Sequence, residues 1–273
     1  MSAHVTVLGA GGFIGGRLAK FLRDTGASVE APPRLPVEAY LDQLRAKPLG
    51  HVVYCIGLTA DFREKSFETV DAHVGVLRRV LAECDFETLT YLSSTRVYIR
   101  SASTNEAAAL SVDPGAPEDL FNLSKLMGES LCLASGRTCR IARVSNVFGE
   151  GDVSQNFLTS VLRDAAKGKV KIELSPQSTK DYVDVDDVVN WLAKIATSGS
   201  RSIYNVASGR NTSNAEIGSA LRALGVQVEF GTNGKTIAFP EIDVLRLVGE
   251  FGKARHSVIE RIPDLLADAK RRT

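Results

Sequence analysis

The segment Gly9-Ala10-Gly11-Gly12-Phe13-Ile14-Gly15 sets glycines at G-x-x-G-x-x-G spacing, between a β-branched apolar run and a helical pattern. Glycine there lets the chain turn tightly, lets backbone approach a phosphate and brings helix against strand, while free N–H groups at the helix start face an anion. Such a turn can hold the pyrophosphate of NAD or NADP. The other common phosphate loop is excluded, because no Gly-Lys-Ser/Thr ending follows. In dinucleotide folds the second strand usually ends in an acid that binds the adenosine ribose. Pro33 stands at that position here and Arg34 follows it. A guanidinium can pair with a 2′-phosphate, so Arg34 tilts the expected cofactor from NAD towards NADP; an exposed arginine after a Pro-Pro turn is the competing reading. Cys55, Cys84, Cys132 and Cys139 are scattered, without the paired spacing of a metal site, and read as reduced thiols with no metal expected.

The elements that must position this turn follow from the apolar pattern. His4 to Leu8 reads as a strand and Phe13, Leu18, Phe21 and Leu22 as one face of a helix. A second strand is expected at Ala27 to Ala31, then, past Pro32-Pro33, a helix through Tyr40, Leu41 and Leu44. His51 to Ile56 is a buried strand ending at Gly57, followed by a helix over Ser66 to Cys84, a strand at Leu89 to Ser93, a helix over Ser124 to Ser135 and a strand at Cys139 to Val144. This alternation predicts an α/β fold, a Rossmann-type doubly wound parallel sheet with crossover helices. After Gly149 the alternation lapses. Asn156 to Ala166 reads as a helix, Val170 to Leu174 as a short strand, Val185 to Ala196 as a helix and Ile203 to Val206 as a strand; a helix from Asn214, the stretch Thr236 to Phe239 and polar helical sequence complete the chain. The expected division is a dinucleotide-binding domain over 1–149 plus about 182–208, with a small substrate-binding lobe over about 150–181 and 209–273.

Composition narrows the partners. With 273 residues, 44% of them hydrophobic, the chain has ample material for a buried core. Lys and Arg number 33 against 32 Asp and Glu, which leaves no general field to draw nucleic acid or anionic lipid. No stretch approaches the roughly 20 apolar residues of a membrane span, and the N-terminus enters a strand without a basic leader. A cytoplasmic protein with neither nucleic-acid nor membrane partners is expected.

The strand at Leu89 to Ser93 runs into Ser94-Thr95-Arg96-Val97-Tyr98. Further along come Phe121, Asn122-x-Ser124-Lys125-x-x-x-Glu129, Arg143-x-x-Asn146-Val147-Phe148-Gly149, Lys180-Asp181-Tyr182-Val183-x-Val185-Asp186-Asp187 and the run Ile203 to Gly209. In this order, and with the glycine turn ahead of them, these pieces resemble the extended short-chain dehydrogenase/reductases, the nucleotide-sugar epimerase and dehydratase family, over nearly the whole chain. The family's middle motif is Tyr-x-x-x-Lys, and the tyrosine position is Phe121 in this chain. The pKa of a phenol, about 10 when unperturbed, is lowered by a nearby lysine and the nicotinamide cation until the group exchanges protons with a sugar hydroxyl or ketone. Lysine at i+4 shares a helix face with residue i. Phe121 keeps the ring and loses the ionisable oxygen.

The resemblance implies that Ser94 hydrogen-bonds the reacting oxygen and that Lys125 binds the nicotinamide ribose. Gly57 and Leu58 would form the loop under the cofactor, His73 stands where asparagine is more usual, and Phe13, Ile14 and Val144 complete the expected cofactor contacts beside Gly9, Gly12, Gly15 and Arg34. Thr59 replaces a lysine seen in some epimerases. Thr95, Asn146 and Lys180 would face the substrate, the last two near its diphosphate. Thr95-Arg96 occupy the place where 4,6-dehydratases carry Asp-Glu, which disfavours elimination and leaves epimerisation or keto-reduction at C4 of a nucleotide-linked sugar. Phe121 leaves three readings open: an introduced substitution that traps substrate with cofactor, a natural loss of catalysis in an NAD(P)-binding regulatory or redox-sensing protein, or another group supplying the proton. A homodimer through the helices at Ser66 to Cys84 and Phe121 to Ser135 is also implied.

Overall fold

The computed structural model describes residues 3–58 and 61–273; Thr59 lies outside the described residues. In chain order the elements are β1 (His4–Leu8), α1 (Phe13–Asp24), β2 (Ser28–Glu30), α2 (Val37–Arg45), β3 (His51–Tyr54), α3 (Ser66–Val70), α4 (Val76–Glu83), β4 (Thr88–Ser94), α5 (Asp119–Ala134) and β5 (Cys139–Val144). Then follow β6 (Asn146–Phe148), α6 (Phe157–Ala165), β7 (Lys169–Ile172), β8 (Thr179–Asp184), α7 (Val185–Ser198), β9 (Ile203–Val206), β10 (Asn211–Ser213), α8 (Asn214–Ala223), β11 (Gln227–Phe230), α9 (Leu245–Phe251) and α10 (Val258–Arg272).

The expected α/β doubly wound sheet is present, with strand order β2-β1-β3-β4-β5-β9 and every pairing parallel. Its strands are buried almost without alternation, as when helices cover both faces of a sheet. On one face Leu18 and Leu22 of α1 and Val188, Trp191 and Leu192 of α7 pack over Val5 and Val53. On the other, Leu41, Leu77 and Cys132 from α2, α4 and α5 pack over Leu8, Val52, Leu89 and Ile141. The order reverses between β1 and β3, so the turns after these strands, at Gly9 and Gly57, flank the crevice where such sheets bind ligands.

A second core gathers Leu158 and Leu162 of α6, Val170 and Ile172 of β7, Ile217 and Leu221 of α8, Val228 of β11, and Ile262 and Leu266 of α10. Two small sheets accompany it, β10-β8-β6 and β11-β7. Leu247 of α9, with Phe251 and Ala254, packs instead against the main sheet's core, so this part of the tail serves the larger body.

Several elements differ from expectation. The helix read over Ser66 to Cys84 is interrupted by a π-helical turn at Asp71–Gly75, whose extra residue per turn carries His73 inward to full burial. The helix read from Ser124 begins at Asp119, because Glu118 precedes it without a side-chain cap and left no start signal. Strands β6, β8, β10 and β11 are too short or too polar to show a pattern, and Thr236 to Phe239 makes a single bridge, between Ala238 and Thr179. Among the described residues no helix is long and apolar enough to cross a membrane.

Candidate active site

Gly9 has φ +86°, and a Cβ there would stand 2.8 Å from the carbonyl carbon of Cys55, so only glycine lets the first turn lie against the end of β3. The Gly12 N–H donates to Gly9 O at 3.0 Å, closing the turn. A Cβ on Gly15 would come 2.9 Å from the carbonyl carbon of Gly9, so α1 starts pressed onto its own loop. Gly12 caps α1 without a side-chain bond and the first turn holds no acidic residue, leaving its N–H groups for an anion. Phe13 and Ile14 are half-buried beside it, Phe13 against Gly149. These residues fit a pyrophosphate.

Arg34 is exposed, beyond the end of β2, and forms no ion pair among the described residues. Glu30, the last residue of β2, is paired with Lys47 at 2.7 Å. The acid nearest the strand end is therefore already committed.

At the mouth of β3 the chain brings three expected cofactor residues together. A Cβ on Gly57 would stand 3.0 Å from His73 Nε2 and 3.4 Å from Lys125 Nζ. Leu58 is half-buried next to Gly57. His73 Nδ1 lies 2.8 Å from Ser124 Oγ, and that hydroxyl donates its proton to Phe121 O at 2.9 Å. The imidazole must then donate from Nδ1, which leaves Nε2 as a buried acceptor without a hydrogen-bond partner. Burial and the neighbouring Lys125 charge push His73 down to about 3, against the small opposing pull of the Leu58 backbone, so the ring is neutral.

Lys125 is buried on α5 and donates to Leu92 O at 2.8 Å. Burial drives its ammonium down to about 7, with Cys55 and Glu129 favouring the charged form. Phe121, one turn earlier, is buried between the ring of Phe62 at 5.4 Å and the edge of His73 at 5.4 Å. Ser94, at the end of β4, accepts from the Arg96 N–H at 3.2 Å and so caps the 3-10 turn Thr95–Tyr98, with its own proton left to donate. Thr95 is buried behind it, and Val144 is buried at the end of β5.

Beneath the site lies a polar network that the motifs contain but do not pair. Ser93 Oγ donates to the Glu129 carboxylate, which also receives Arg143 through Nε at 3.0 Å and Nη2 at 2.7 Å. Arg143 Nη1 donates to Tyr98 Oη, which donates to Asn205 Oδ1 at 2.8 Å. Glu129 and Arg143 are each 3% exposed. The network joins β4, α5, β5 and β9, and so sets Ser94 and Lys125 relative to each other. Spacing alone shows neither bond, because the partners come from separate elements.

Of the residues expected to face the substrate, Asn146 is exposed, and its Nδ2 donates one proton to Asp181 O at 2.9 Å, which leaves the second Nδ2 proton and Oδ1 for a ligand. Lys180 Nζ lies 5.0 Å from the ring centre of Phe157. The guanidinium groups of Arg63 and Arg96 lie 4.6 Å and 5.6 Å from the centre of the Phe62 ring. Phe62 and Arg63 had no signal in the sequence, since they belong to the irregular segment between β3 and α3. Among the described residues no group of His, Cys, Asp and Glu is placed to hold a metal ion.

Residues 5–207 match the NAD dependent epimerase/dehydratase family. The fold is similar to that of MoeE5 in complex with UDP-glucose and NAD, with TM-score 0.82 and 23% identity over 98% of this chain and 99% of that one. It is similar also to the NAD dependent NDP-hexosamine 5,6-dehydratase TunA, involved in tunicamycin biosynthesis, with TM-score 0.82 and 21% identity over 98% of both chains. A third likeness is to the UDP-glucuronic acid 4-epimerase of Bacillus cereus in complex with UDP-glucuronic acid and NAD, with TM-score 0.78 and 16% identity over 98% of this chain and 99% of that one. Among curated proteins, the mitochondrial NADH dehydrogenase [ubiquinone] 1 alpha subcomplex subunit 9 of Dictyostelium discoideum is 32% identical over 170 residues, 56% of this chain. The match spans about half of that relative, 47% of its length.

Proposed function

The chain belongs to the NAD dependent epimerase/dehydratase family, and we propose that it binds NAD(P) and a nucleotide-linked sugar for epimerisation or keto-reduction at C4, with activity impaired by Phe121. The observation that carries this reading is the meeting of Gly57, His73, Lys125 and Phe121 at the crevice end of β3 and α5.

A bound nicotinamide would supply hydride exchange with the sugar carbon. The Gly9 to Gly15 turn holds the pyrophosphate, and the two Lys125 N–H groups not given to Leu92, with the His73 Nε2 acceptor, hold ribose hydroxyls. Ser94 donates to the reacting oxygen. Phe121 fills the place of the proton-exchanging phenol without exchanging a proton. Asn146 and Lys180 take the diphosphate, and Thr95 supports the sugar. The unpaired Arg34, together with the commitment of Glu30 to Lys47, favours NADP over NAD.

The second core, over about 150–181 and much of 209–273, serves as the lobe that closes on the sugar. A homodimer through α3, α4 and α5 is supported by exposed apolar side chains on the first and last of these helices: Phe67 at 84%, Met127 at 54% and Leu133 at 53%. The second reading, a catalytically silent NAD(P)-binding regulatory or redox-sensing protein, is favoured by Phe121 alone. Titration of the protein with NADPH and NADH, then of the loaded protein with nucleotide sugars, tests both. Saturable binding of cofactor and of a nucleotide sugar is expected. Cofactor binding alone supports the silent protein, and binding of neither overturns both readings.

A further inference from the structure

Around Phe121 lie cations that form no ion pair among the described residues. Phe62 stacks on Phe121, and the guanidinium groups of Arg63 and Arg96 lie over Phe62. Lys180 is close enough to Arg96 for the two charges to oppose each other. None of Arg63, Arg96 and Lys180 forms an ion pair among the described residues. Arg96 is half-buried, and its Nε is a buried donor without a partner. Its acidic neighbours do not supply one. Asp119 gives its carboxylate to Arg100, to the Asp113 N–H and to Asn122, and Glu118 is exposed. An unpaired donor beside uncompensated positive charge is costly, and an anionic ligand removes that cost.

The placement of Arg96 identifies which part of a ligand it meets. Arg96 comes two residues after Ser94, the group assigned to the reacting oxygen, and its guanidinium, with that of Arg63, lies over the Phe62 ring that packs on Phe121, so among the cations not given to the cofactor these two flank the position of the acid/base, while Lys180 comes from β8. In a hexose reacting at C4, the C6 substituent hangs from the adjacent carbon, whereas the diphosphate hangs from C1 across the ring. We propose that Arg96 is a specificity-determining residue that receives a carboxylate at C6, and that the substrate is a nucleotide-linked uronic acid. The planar guanidinium fork matches a carboxylate in two parallel hydrogen bonds, and Arg63, against the same Phe62 ring, adds charge. This rests on the nucleotide-sugar reading above.

The test compares sugars that differ only at C6. UDP, UDP-glucose and UDP-glucuronic acid, and GDP, GDP-mannose and GDP-mannuronic acid, are titrated calorimetrically into the cofactor-loaded protein and its Arg96→Gln and Arg96→Lys variants, each first checked for folding by circular dichroism. The uronic acid of one series is expected to bind at least tenfold more tightly than its neutral partner. Arg96→Gln should abolish that ratio, and Arg96→Lys, which keeps charge but not the fork, should retain part of it. Equal binding of acid and neutral sugar by the unaltered protein overturns the inference and leaves the nucleotide-sugar reading standing. A loss in Arg96→Gln that falls equally on the nucleotide diphosphate does the same, because it puts Arg96 on the diphosphate. If no nucleotide or nucleotide sugar of either series binds, the broader reading fails as well.

Discussion

Lys125 Nζ stands 5.9 Å from the centre of the Phe121 ring, one helical turn away, so the ammonium that would stabilise a phenolate faces a ring with no oxygen to ionise. The lysine is also deeply buried and, among the described residues, donates to the Leu92 carbonyl. A phenol at position 121 would restore an acid whose negative form the lysine favours. The variant Phe121→Tyr is expected to raise turnover of the cognate nucleotide sugar by at least ~10²-fold, the usual contribution of a positioned acid/base. Product formation and absorbance of the reduced cofactor measure it. Equal rates in the two forms would mean that the proton comes from another group or that no turnover occurs.

Burial of Lys125 has its own signature in the free protein. Its folded value of about 7 lies below the ordinary 10.5, so between these values the unfolded chain holds the extra proton and native stability rises with pH. Below about 7 both states are charged and the full burial penalty applies. Thermal melts of the parent and Lys125→Met, without cofactor, should show the variant's relative stability greatest below about pH 7 and declining as pH rises towards 10.5. A pH-independent difference would contradict the buried ammonium.

The proposed preference for NADP rests on Arg34, which is exposed. Replacement of the exposed Arg34 by glutamate should lower the ratio of NADPH to NADH affinity by roughly tenfold or more, since a carboxylate repels a 2′-phosphate and accepts from a ribose diol. Fluorescence titration of both reduced cofactors reads it. An unchanged ratio would show that Arg34 lies clear of the phosphate.

Arg143 and Glu129 form a bidentate pair in the interior, and removal of one partner strands the other's charge. Arg143→Met should cost roughly 3–5 kcal/mol of stability by denaturant unfolding, and the double variant Glu129→Gln/Arg143→Met should recover much of that loss. Full additivity of the two substitutions would argue against the pair as a unit.

The sequence by itself determined the framework of the cofactor half. The β-branched run, the three spaced glycines and the helical stripe after them specify strand, turn and helix locally, because each is set by neighbours a few residues away. The Gly9 φ of +86° and the tight approaches at Gly9 and Gly15 are what those glycines implied. The alternation of apolar segments likewise determined a parallel sheet, and the ordered motifs marked Ser94, Phe121 and Lys125. Tertiary structure alone decided what these residues touch. His73 turns inward because of a π turn that no periodicity announces, and its tautomer depends on Ser124, fifty-one positions away. Asn146 donates one amide proton to Asp181, Glu129 meets Arg143, and Phe62 brings Arg63 and Arg96 beside Phe121. Contacts between elements depend on how their faces pack, and the chain carries no local record of them.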